Sequence, residues 1–401
     1  MIKVSFILLI AVPQLDFGDG SSYEVIHPSK RRRLPASSPL ILTTVLWNDT
    51  SDPSVVTPQR GTLGAPIIGP DNIPVDLQNP DLFAPPTTDS GLNVNPNAKW
   101  PFALSHNRLQ TGGWARQENI QVMPIATEMA GVDMRLEPGA IRELHWHSTA
   151  EWAYVLKGST QITAVDQDGR NYLATVHAGD LLMKKGSEFL LVFDNGAFSE
   201  DSTFMLTDWL DHVPYEVIQK NFQPVPPDDA TAPEDPQGTV PDPFSFPLSQ
   251  INATQHSGGS VKIVDSTTFT VSTTIAMAEV TINPGAMREL HWHPTMDEWS
   301  FFLEGTGRMT LFASSGIADT FNYQPGDIGY VPAAYGHYVE NTGNTTLRYL
   351  EIFKSDRFQD ISLNQWLALT PPALVQAHLN LDNETISQLS KVKPVVIGPS
   401  A

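Results

Sequence analysis

Two stretches of the chain carry the same metal-ligating side chains at nearly the same spacing. Residues 138–158 read PGAIRELHWHSTAEWAYVLKG, and residues 284–305 read PGAMRELHWHPTMDEWSFFLEG. Each stretch has a His-Trp-His triplet followed by a glutamate. A long phrase that occurs twice indicates two duplicated structural units. The candidate ligands of the two units are His145, His147 and Glu151, and His291, His293 and Glu298.

Strand geometry explains why these residue types point to a metal. Side chains alternate between the two faces of a strand, so His145 and His147 share one face while Trp146 takes the other. Two imidazoles and a carboxylate on one inward face are costly to bury without a partner, and a divalent ion removes that cost. A single copy would be explained as two core histidines beside a surface glutamate. Two copies with matching frames favour metal binding.

The second copy is followed by a fourth candidate ligand. His337 lies on a later predicted strand, which the chain reaches through a turn marked by Pro332. Three imidazoles and one carboxylate leave open positions on an octahedral ion. The chain has no cysteine, so Mn, Fe, Co, Ni and Zn are the candidate metals. A carboxylate with expected water ligands suits Mn best.

The first copy lacks this fourth ligand. Gly179 and Gly326 are equivalent, but the next matching strand ends 14 positions later at Phe193 in the first unit and 27 positions later at Phe353 in the second. The first unit is therefore about 13 residues short near residues 182–188. Either the deletion is real and leaves a three-ligand site, or a splice boundary was misjudged. Loss of a strand exposes unpaired backbone, which favours the second interpretation.

Composition narrows the fold and the partners. With 401 residues the chain is long enough for two domains, and its 27 glycines, 33 prolines and short apolar runs favour an all-β protein. A net charge of −20 argues against nucleic acid or an anionic membrane as a partner. The same charge repels small anions, so an anionic ligand has to be captured by local cations or by a metal.

The N-terminus suggests secretion. Residues 1–20 begin with Lys3 followed by the apolar run VSFILLIAV, which resembles a secretory signal; a buried strand or a misassigned start codon are the alternatives. No apolar run is long enough to span a bilayer. Four glycosylation acceptor triplets support secretion. Their asparagines are Asn48, Asn252, Asn344 and Asn383.

The chain divides into a leader over residues 1–57, a first domain over 58–235 and a second domain over 236–401, with a Pro- and Asp-rich linker at 223–247. The leader is predicted to be largely disordered and to comprise a signal and a propeptide. Each domain closes with a helical segment, and a last helix is predicted to start at Asn383 and to be capped by that side chain. Strands are predicted at 121–125, 131–136, 152–156, 160–165, 189–193, 261–264, 275–282, 299–303, 307–312 and 347–353. The pattern predicts two jelly-roll domains with short C-terminal helices, an architecture that includes the cupins.

The doubled RELHWH motif, the paired helical segments from Leu206 and Leu363, and SLNQWLA at 362–368 resemble the two-domain cupin oxalate decarboxylases over about residues 58–395. The resemblance implies two cupin domains with Mn in each, cleavage of oxalate to formate and carbon dioxide, and dioxygen as a redox partner. It also implies a homo-oligomer, either a trimer or a hexamer. A mobile lid is implied at residues 198–203, where the first domain carries three more residues than the second.

Four side chains are candidate catalytic residues. Arg142 lies three positions before the first ligand and can hold a carboxylate through paired hydrogen bonds, and Arg288 is its equivalent. The resemblance makes Glu200 in the lid the proton donor and Glu340 a second glutamate, for which an ion pair with Arg288 is the structural alternative. If the deletion is real, we expect weak or no activity and a metal held mainly in the second domain.

Two other functions are compatible with these residues. An oxalate oxidase, which yields hydrogen peroxide, would be favoured by the absence of a lid glutamate, and Glu200 is present. A non-enzymatic storage or interaction protein with a vestigial first site would be favoured by the deletion alone.

Overall fold

A computed structural model describes residues 7–11, 97–110, 112–166, 168–178, 186–221 and 242–399. These residues form two β-rich units, each ending in short helices, which confirms the predicted all-β fold of two jelly-roll domains. The predicted domain boundaries at 57/58 and 235/236 lie outside the described residues, as do most of the linker and all of the predicted leader except residues 7–11. None of the described helices is long and apolar enough to cross a bilayer.

Eleven described strands precede the linker. They are β1 Ile7–Ala11, β2 Lys99–Pro101, β3 Arg108–Gln110, β4 Gly113–Glu118, β5 Ala130–Leu136, β6 His145–Trp146, β7 Glu151–Lys157, β8 Ser159–Val165, β9 Asn171–His177, β10 Ser187–Phe193 and β11 Phe204–Met205. Two helices follow, α1 Leu206–Asp211 and α2 Tyr215–Asn221.

Twelve strands follow the linker. They are β12 Thr254–His256, β13 Gly259–Val264, β14 Ala276–Ile282, β15 Met287–Trp292, β16 Glu298–Glu304, β17 Gly307–Phe312, β18 Ala318–Tyr323, β19 Asp327–Val331, β20 Gly336–Asn341, β21 Leu347–Phe353, β22 Ile361–Ser362 and β23 Val396–Ile397. The helices are α3 Leu363–Leu369, α4 Pro372–Leu379 and α5 Asn383–Ser387.

Each domain consists of two antiparallel sheets whose inner faces carry the core and the predicted ligands. The second domain has the order β12-β13-β14-β21-β16-β19-β2 in one sheet and β18-β17-β20-β15-β22 in the other. The first domain has β3-β4-β5-β10-β7 and β9-β8-β1-β6-β11. The two domains thus match in strand order, with β1 in the place of β20. The described part of the first domain has no counterpart of β19, of β2 beside it, or of β23, which pairs with β15.

Because no counterpart of β19 is described in the first domain, the strand that would lie beside it is less buried there. In the second domain β16 is flanked by β21 and β19, and its first six residues are buried. Its equivalent, β7, lies at the edge of its described sheet, and only Leu156 of its seven residues is buried. A cavity of about 760 Å³ runs along this edge, from Glu151 to Phe246. Among the described residues, the free edge of β7 therefore borders a cavity that reaches the predicted ligand Glu151.

The two domains share one buried core. Trp299 of the second domain is fully buried and packs where Gly131 of the first domain has no side chain; a Cβ built there would lie 2.3 Å from the indole. The indole N–H of Trp299 donates to Glu118 Oε2 at 2.8 Å. Strand β2 also pairs with β19, so the first part of the predicted first domain contributes a strand to a sheet of the second.

Most predicted strands are confirmed, with one exception. Residues 121–125 form turns, because Asn119 Oδ1 accepts from the Gln121 N–H and the Asn119 carbonyl accepts from the Val122 and Met123 N–H groups. An asparagine that bonds its own backbone two residues on initiates a turn even when apolar residues follow. The last helix does begin at Asn383, but its cap is Asp382, whose Oδ1 accepts from the Thr385 N–H.

Glu118 makes the shared core sensitive to pH. Burial raises the pKa of Glu118 to about 8, although the hydrogen bond from Trp299 opposes the shift. The folded state therefore holds a proton between pH 4.5 and 8 that the unfolded state releases. The stability that this proton provides is complete below the unfolded pKa and is lost as the pH rises through the folded one.

We expect Glu118→Gln, which mimics the protonated side chain, to unfold at a higher temperature than the wild type at pH 8 and at nearly the same temperature at pH 5. Thermal denaturation at both pH values measures the difference. Glu216→Gln, at an exposed helical glutamate, is the control. If the melting temperatures of wild type and variant differed by the same amount at both pH values, Glu118 would not be a buried, protonated carboxyl group.

Candidate metal centres

Four predicted ligands converge in the second domain. His291 lies on β15, His293 follows the end of that strand, Glu298 opens β16 and His337 lies on β20, directly opposite His291. All four side chains are buried, and one ligand atom from each lies within 4.8 Å of the others. The sequence prediction of a four-ligand group is therefore confirmed.

Backbone carbonyls fix the orientation of the three imidazoles. The Nδ1 atom of His291 lies 2.7 Å from the carbonyl oxygen of Glu289. The Nδ1 atom of His293 lies 2.8 Å from that of Gln359, and the Nδ1 atom of His337 lies 3.0 Å from that of Tyr335. A carbonyl oxygen can only accept, so each Nδ1 carries the hydrogen. Each Nε2 therefore presents a lone pair to the centre, as outer partners arrange for metal-ligating histidines.

The lone pairs require a cation. Nε2 of His293 and of His337 lie 3.0 and 3.1 Å from Glu298 Oε2, and Nε2 of His291 is buried with no hydrogen-bond partner. Burial lowers the pKa of His291 and keeps it neutral. A buried carboxylate that faces three imidazole nitrogens in this way fits a divalent ion.

The first domain brings together its three predicted ligands. His145, His147 and Glu151 have ligand atoms within 4.8 Å of one another, and Trp146 turns away to stack on Phe204. His145 Nδ1–H donates to the Glu143 carbonyl at 2.6 Å, which leaves its Nε2 free. Neither carboxylate oxygen of Glu151 has a hydrogen bond of acceptable geometry, although His147 Nε2 approaches to 3.0 Å.

The first group also fits a metal, with fewer ligands. Its buried carboxylate oxygens have no other partner, and its two imidazoles face them. Among the described residues no fourth histidine, cysteine, aspartate or glutamate joins the group. The prediction of an incomplete first site therefore holds for the described part of the chain.

The predicted lid closes over the first group. Residues 200–202 form a short 3-10 helix. Its N-terminal cap is Ser199, whose hydroxyl accepts from the Asp201 N–H. Phe198 is buried, stacks on Phe193 with ring centroids 3.5 Å apart, and meets the His147 ring edge-on at 5.3 Å. The lid thus shields the metal ligands with an aromatic side chain.

Two residues far upstream hold the lid in place. Arg108 pairs with Glu200 at 3.2 Å and with Asp201 at 2.7 Å, and Gln117 Oε1 accepts from the Glu200 N–H at 3.0 Å. Sequence reasoning missed both residues, because nothing in their local pattern distinguishes them from ordinary strand residues. Only the pairing of β3 and β4 with the rest of the sheet brings them to the lid.

Glu200 lies in an environment that favours its protonated form. Its side chain is only 9% exposed, and burial raises its pKa against the opposing charges of Arg108 and Arg142. The charge of Arg142 also lowers the pKa of Glu151, so the guanidinium lies near both carboxyl groups. Arg142 Nε is buried without a hydrogen-bond partner. A carboxyl group with a raised pKa, an arginine with an unpaired buried Nε and the ligand group therefore share one site.

The equivalent residues of the second domain are arranged differently. Arg288 is fully buried; its Nε donates to Glu351 at 3.1 Å and its Nη2 to Asp360 at 2.6 Å. The alternative ion pair with Glu340 does not form, and Glu340 is half-buried on β20. Because its donors are already committed, Arg288 stabilises the second site as the structure stands. Its predicted substrate role, like that of Glu340, stays a prediction.

The fold and the two ligand groups define a two-domain cupin built to hold metal. The cupin family model matches residues 107–227 and 247–387. Oxalate decarboxylase OxdC of Bacillus subtilis (strain 168) is 49% identical over 372 residues, which cover 85% of this chain and 96% of that protein. A probable oxalate decarboxylase of Arthroderma benhamiae is 39% identical over 392 residues, covering 86% of this chain and 96% of that protein.

Solved structures agree with these relatives. The structure of the Bacillus subtilis oxalate decarboxylase at pH 4.6 matches with a TM-score of 0.73 and 49% identity, over 83% of this chain and 95% of that one. A second structure of that enzyme, with the same TM-score and identity, covers 83% and 96% and was used to study its Mn(II) centers. The chain belongs to the oxalate decarboxylase family of two-domain cupins.

The two centres are expected to differ in affinity for Mn(II). Glu298→Gln removes a ligand carboxylate and should therefore eliminate the tighter of two Mn(II)-binding phases. The affinity of the second site should fall by at least about 10-fold, because even the outer partners of metal ligands contribute that much. Glu151→Gln should affect only the weaker phase. Metal titration after removal of bound ions by a chelator measures both phases. If Glu151→Gln removed the tighter phase, the assignment of the stronger site would be reversed.

Proposed function

We propose that this protein is a manganese-dependent oxalate decarboxylase that converts oxalate to formate and carbon dioxide. One observation carries the proposal: Glu200, with a raised pKa, and Arg142, with an unsatisfied buried donor, meet at the ligand group of the first domain under a closed lid. The names of the relatives and the Mn(II) centers of the Bacillus subtilis enzyme support it.

The net reaction consumes one proton and involves no net oxidation. The bond between the two carbons of oxalate breaks, carbon dioxide leaves, and the electron pair that remains on the second carbon takes up a proton to give formate. Bound Mn(II), held by His145, His147 and Glu151 or by the second group, would supply Lewis-acid charge neutralisation and a redox-active centre. The expected need for dioxygen belongs to the proposal, and an anaerobic assay tests it.

Arg142 supplies the local cation that a polyanionic protein needs. The net charge of −20 opposes the approach of oxalate, so binding depends on charges within the site. A guanidinium presents paired donors that match a carboxylate, and burial strengthens such hydrogen bonds. Arg142 therefore orients the end of oxalate that lies away from the metal ligands.

Glu200 provides the proton. Its burial keeps the carboxyl protonated to a higher pH than an exposed glutamate, and a pKa close to the working pH makes an efficient general acid. The lid excludes water through Phe198, which favours transfer of the proton from Glu200 to the substrate carbon. As the pH rises through the raised pKa, Glu200 loses its proton and formate production should fall.

Oxalate oxidase is the second candidate from the same chemistry. A proton donor beside the substrate favours formate, whereas an oxidase would release hydrogen peroxide. The buried, protonated glutamate in the lid therefore favours decarboxylation. A storage or interaction protein would need neither the lid glutamate nor the unsatisfied Arg142, and metal analysis separates it from an enzyme.

The protein is also proposed to form a homo-oligomer, either a trimer or a hexamer. Trp209 and Trp366, the equivalent tryptophans of α1 and α3, are 57% and 55% exposed. Large aromatic side chains at this exposure are typical of surfaces that are covered in an assembly. Light scattering after size exclusion gives the mass of the particle.

Secretion stays a prediction. The acceptor asparagines Asn252, Asn344 and Asn383 are exposed, as glycosylation requires, and Asn48 lies outside the described residues. A mass shift after treatment with a glycosidase would show whether the expressed protein is modified at these positions.

Replacing the proton donor should separate the two reactions. We expect Glu200→Gln to lower the rate of formate production by about 10²- to 10⁴-fold, because general acid catalysis contributes that much. Formate and hydrogen peroxide are measured in the same assay with Mn(II) present. Asp211→Asn, at an exposed carboxylate of α1, is the control and should retain most of the activity. Full activity of Glu200→Gln would remove Glu200 from the reaction.

Arg108 is a positioning residue for the lid, and its removal should shift the pH dependence of the activity in one direction. Because its charge opposes the raised pKa of Glu200, we expect Arg108→Ala to move the alkaline limb of the pH–activity profile upward while the maximal rate falls. Arg170→Ala, which breaks a pair with Asp166 remote from the lid, is the control. A lower rate with an unmoved alkaline limb would contradict the electrostatic role.

A further inference from the structure

The sheet that carries the metal ligands has a slot for one strand in each domain. In the second domain β20 fills this slot between β17 and β15, and it brings His337 to the centre. In the first domain β1 fills the same slot between β8 and β6. The first domain therefore takes its slot strand from the N-terminus and not from the segment before β10.

The ladder of the second domain defines the ligand position. His337 lies opposite His291 on β15 and opposite Leu311 on β17. The repeated phrase makes His145 the equivalent of His291. The strands after its final glycine align residue by residue, which makes Ala164 the equivalent of Leu311. A strand residue opposite both His145 and Ala164 would thus hold the fourth-ligand position of the first domain.

Residue 7 holds that position. Ile7 lies opposite His145 on β6 and opposite Ala164 on β8, and both pairings are antiparallel, as they are for β20. The register continues without a break to Ala11 opposite Thr160. The backbone position that His337 holds in the second domain is therefore held by residue 7, an isoleucine in the sequence, and isoleucine has no ligand atom.

We infer that residues 7–11 are a surrogate strand that is retained in the folded protein and completes the first metal-binding sheet without restoring its fourth ligand. The first centre is then a site of two histidines and one carboxylate. Such a triad leaves more positions open than the four-ligand group and holds its metal less tightly. This inference is independent of the oxalate chemistry, because metal content and backbone protection can test it.

Backbone pairing explains why the slot is filled at all. Without a strand between them, the facing edges of β6 and β8 would present unpaired N–H and C=O groups within the domain. The sequence of the surrogate is ILLIA, which is apolar and partly β-branched and suits a central strand. The same run resembles the apolar part of a secretory signal, so one segment cannot both be removed and fill the slot.

The first experiment restores the missing ligand. We expect Ile7→His to raise the tightly bound Mn(II) that remains after dialysis from about one to about two per chain, since a fourth ligand closes the site. Leu8→His is the matched control, because adjacent strand residues point to opposite faces, and it should leave the metal count unchanged. Electron paramagnetic resonance of the bound Mn(II) should show a second signal only in Ile7→His.

Two outcomes of this experiment would overturn the inference. One is an unchanged metal count in an Ile7→His protein that unfolds at the wild-type temperature. The other is a wild-type protein that already holds two equivalents with equal affinity. Neither outcome bears on whether the second site or the enzyme is active, so the proposed function would stand.

The second experiment removes the strand. Deletion of residues 1–13 should abolish hydrogen-exchange protection of β8 amides and lower the melting temperature, whereas deletion of residues 1–5 should do neither. A synthetic peptide with the sequence of residues 6–12, added to the longer deletion, should restore protection. Unchanged β8 protection in the longer deletion would overturn the surrogate strand, as would an intact mass showing that the mature protein begins after residue 11.

Discussion

The structure depends on one constraint: imidazoles whose Nδ1 hydrogens are already committed face a buried carboxylate. In the second domain His291, His293 and His337 each donate Nδ1–H to a backbone carbonyl, so their other nitrogens converge on the centre as lone pairs beside Glu298. Imidazole lone pairs and a carboxylate repel unless a cation lies among them. The strands that carry these residues are therefore arranged around an ion as much as around an apolar core.

The first domain meets the same constraint with fewer residues, and the difference shows which requirement of the fold is stricter. Unpaired strand edges inside a sheet are costly everywhere along their length, whereas a missing ligand weakens only one centre. The domain accordingly fills the slot between β6 and β8 with β1, although the residue at the ligand position is Ile7. The edge of β7, which has no described neighbour in place of β19, borders a cavity beside Glu151.

Charge organises the remainder of the active region. A protein with a net charge of −20 has to bind an anion through a few buried cations. Arg142 has a buried donor to spare, whereas Arg288 has committed its donors to Glu351 and Asp360. This asymmetry distinguishes the two groups: the first has an arginine with an unpaired buried donor beside it, and the second has the larger set of ligands.

The sequence by itself determined the duplicated fold, the three shared ligands of each centre, His337 and the shortened first domain, because ligand spacing and strand alternation are local and repeat in register. It also identified the lid, since an insertion is visible when one copy is counted against the other. Only the tertiary structure decided that Arg108 and Gln117 hold Glu200, that Arg288 is saturated, and that β1 enters the first domain. These contacts join residues that are distant in the chain, and local patterns carry no information about which distant backbone completes a sheet.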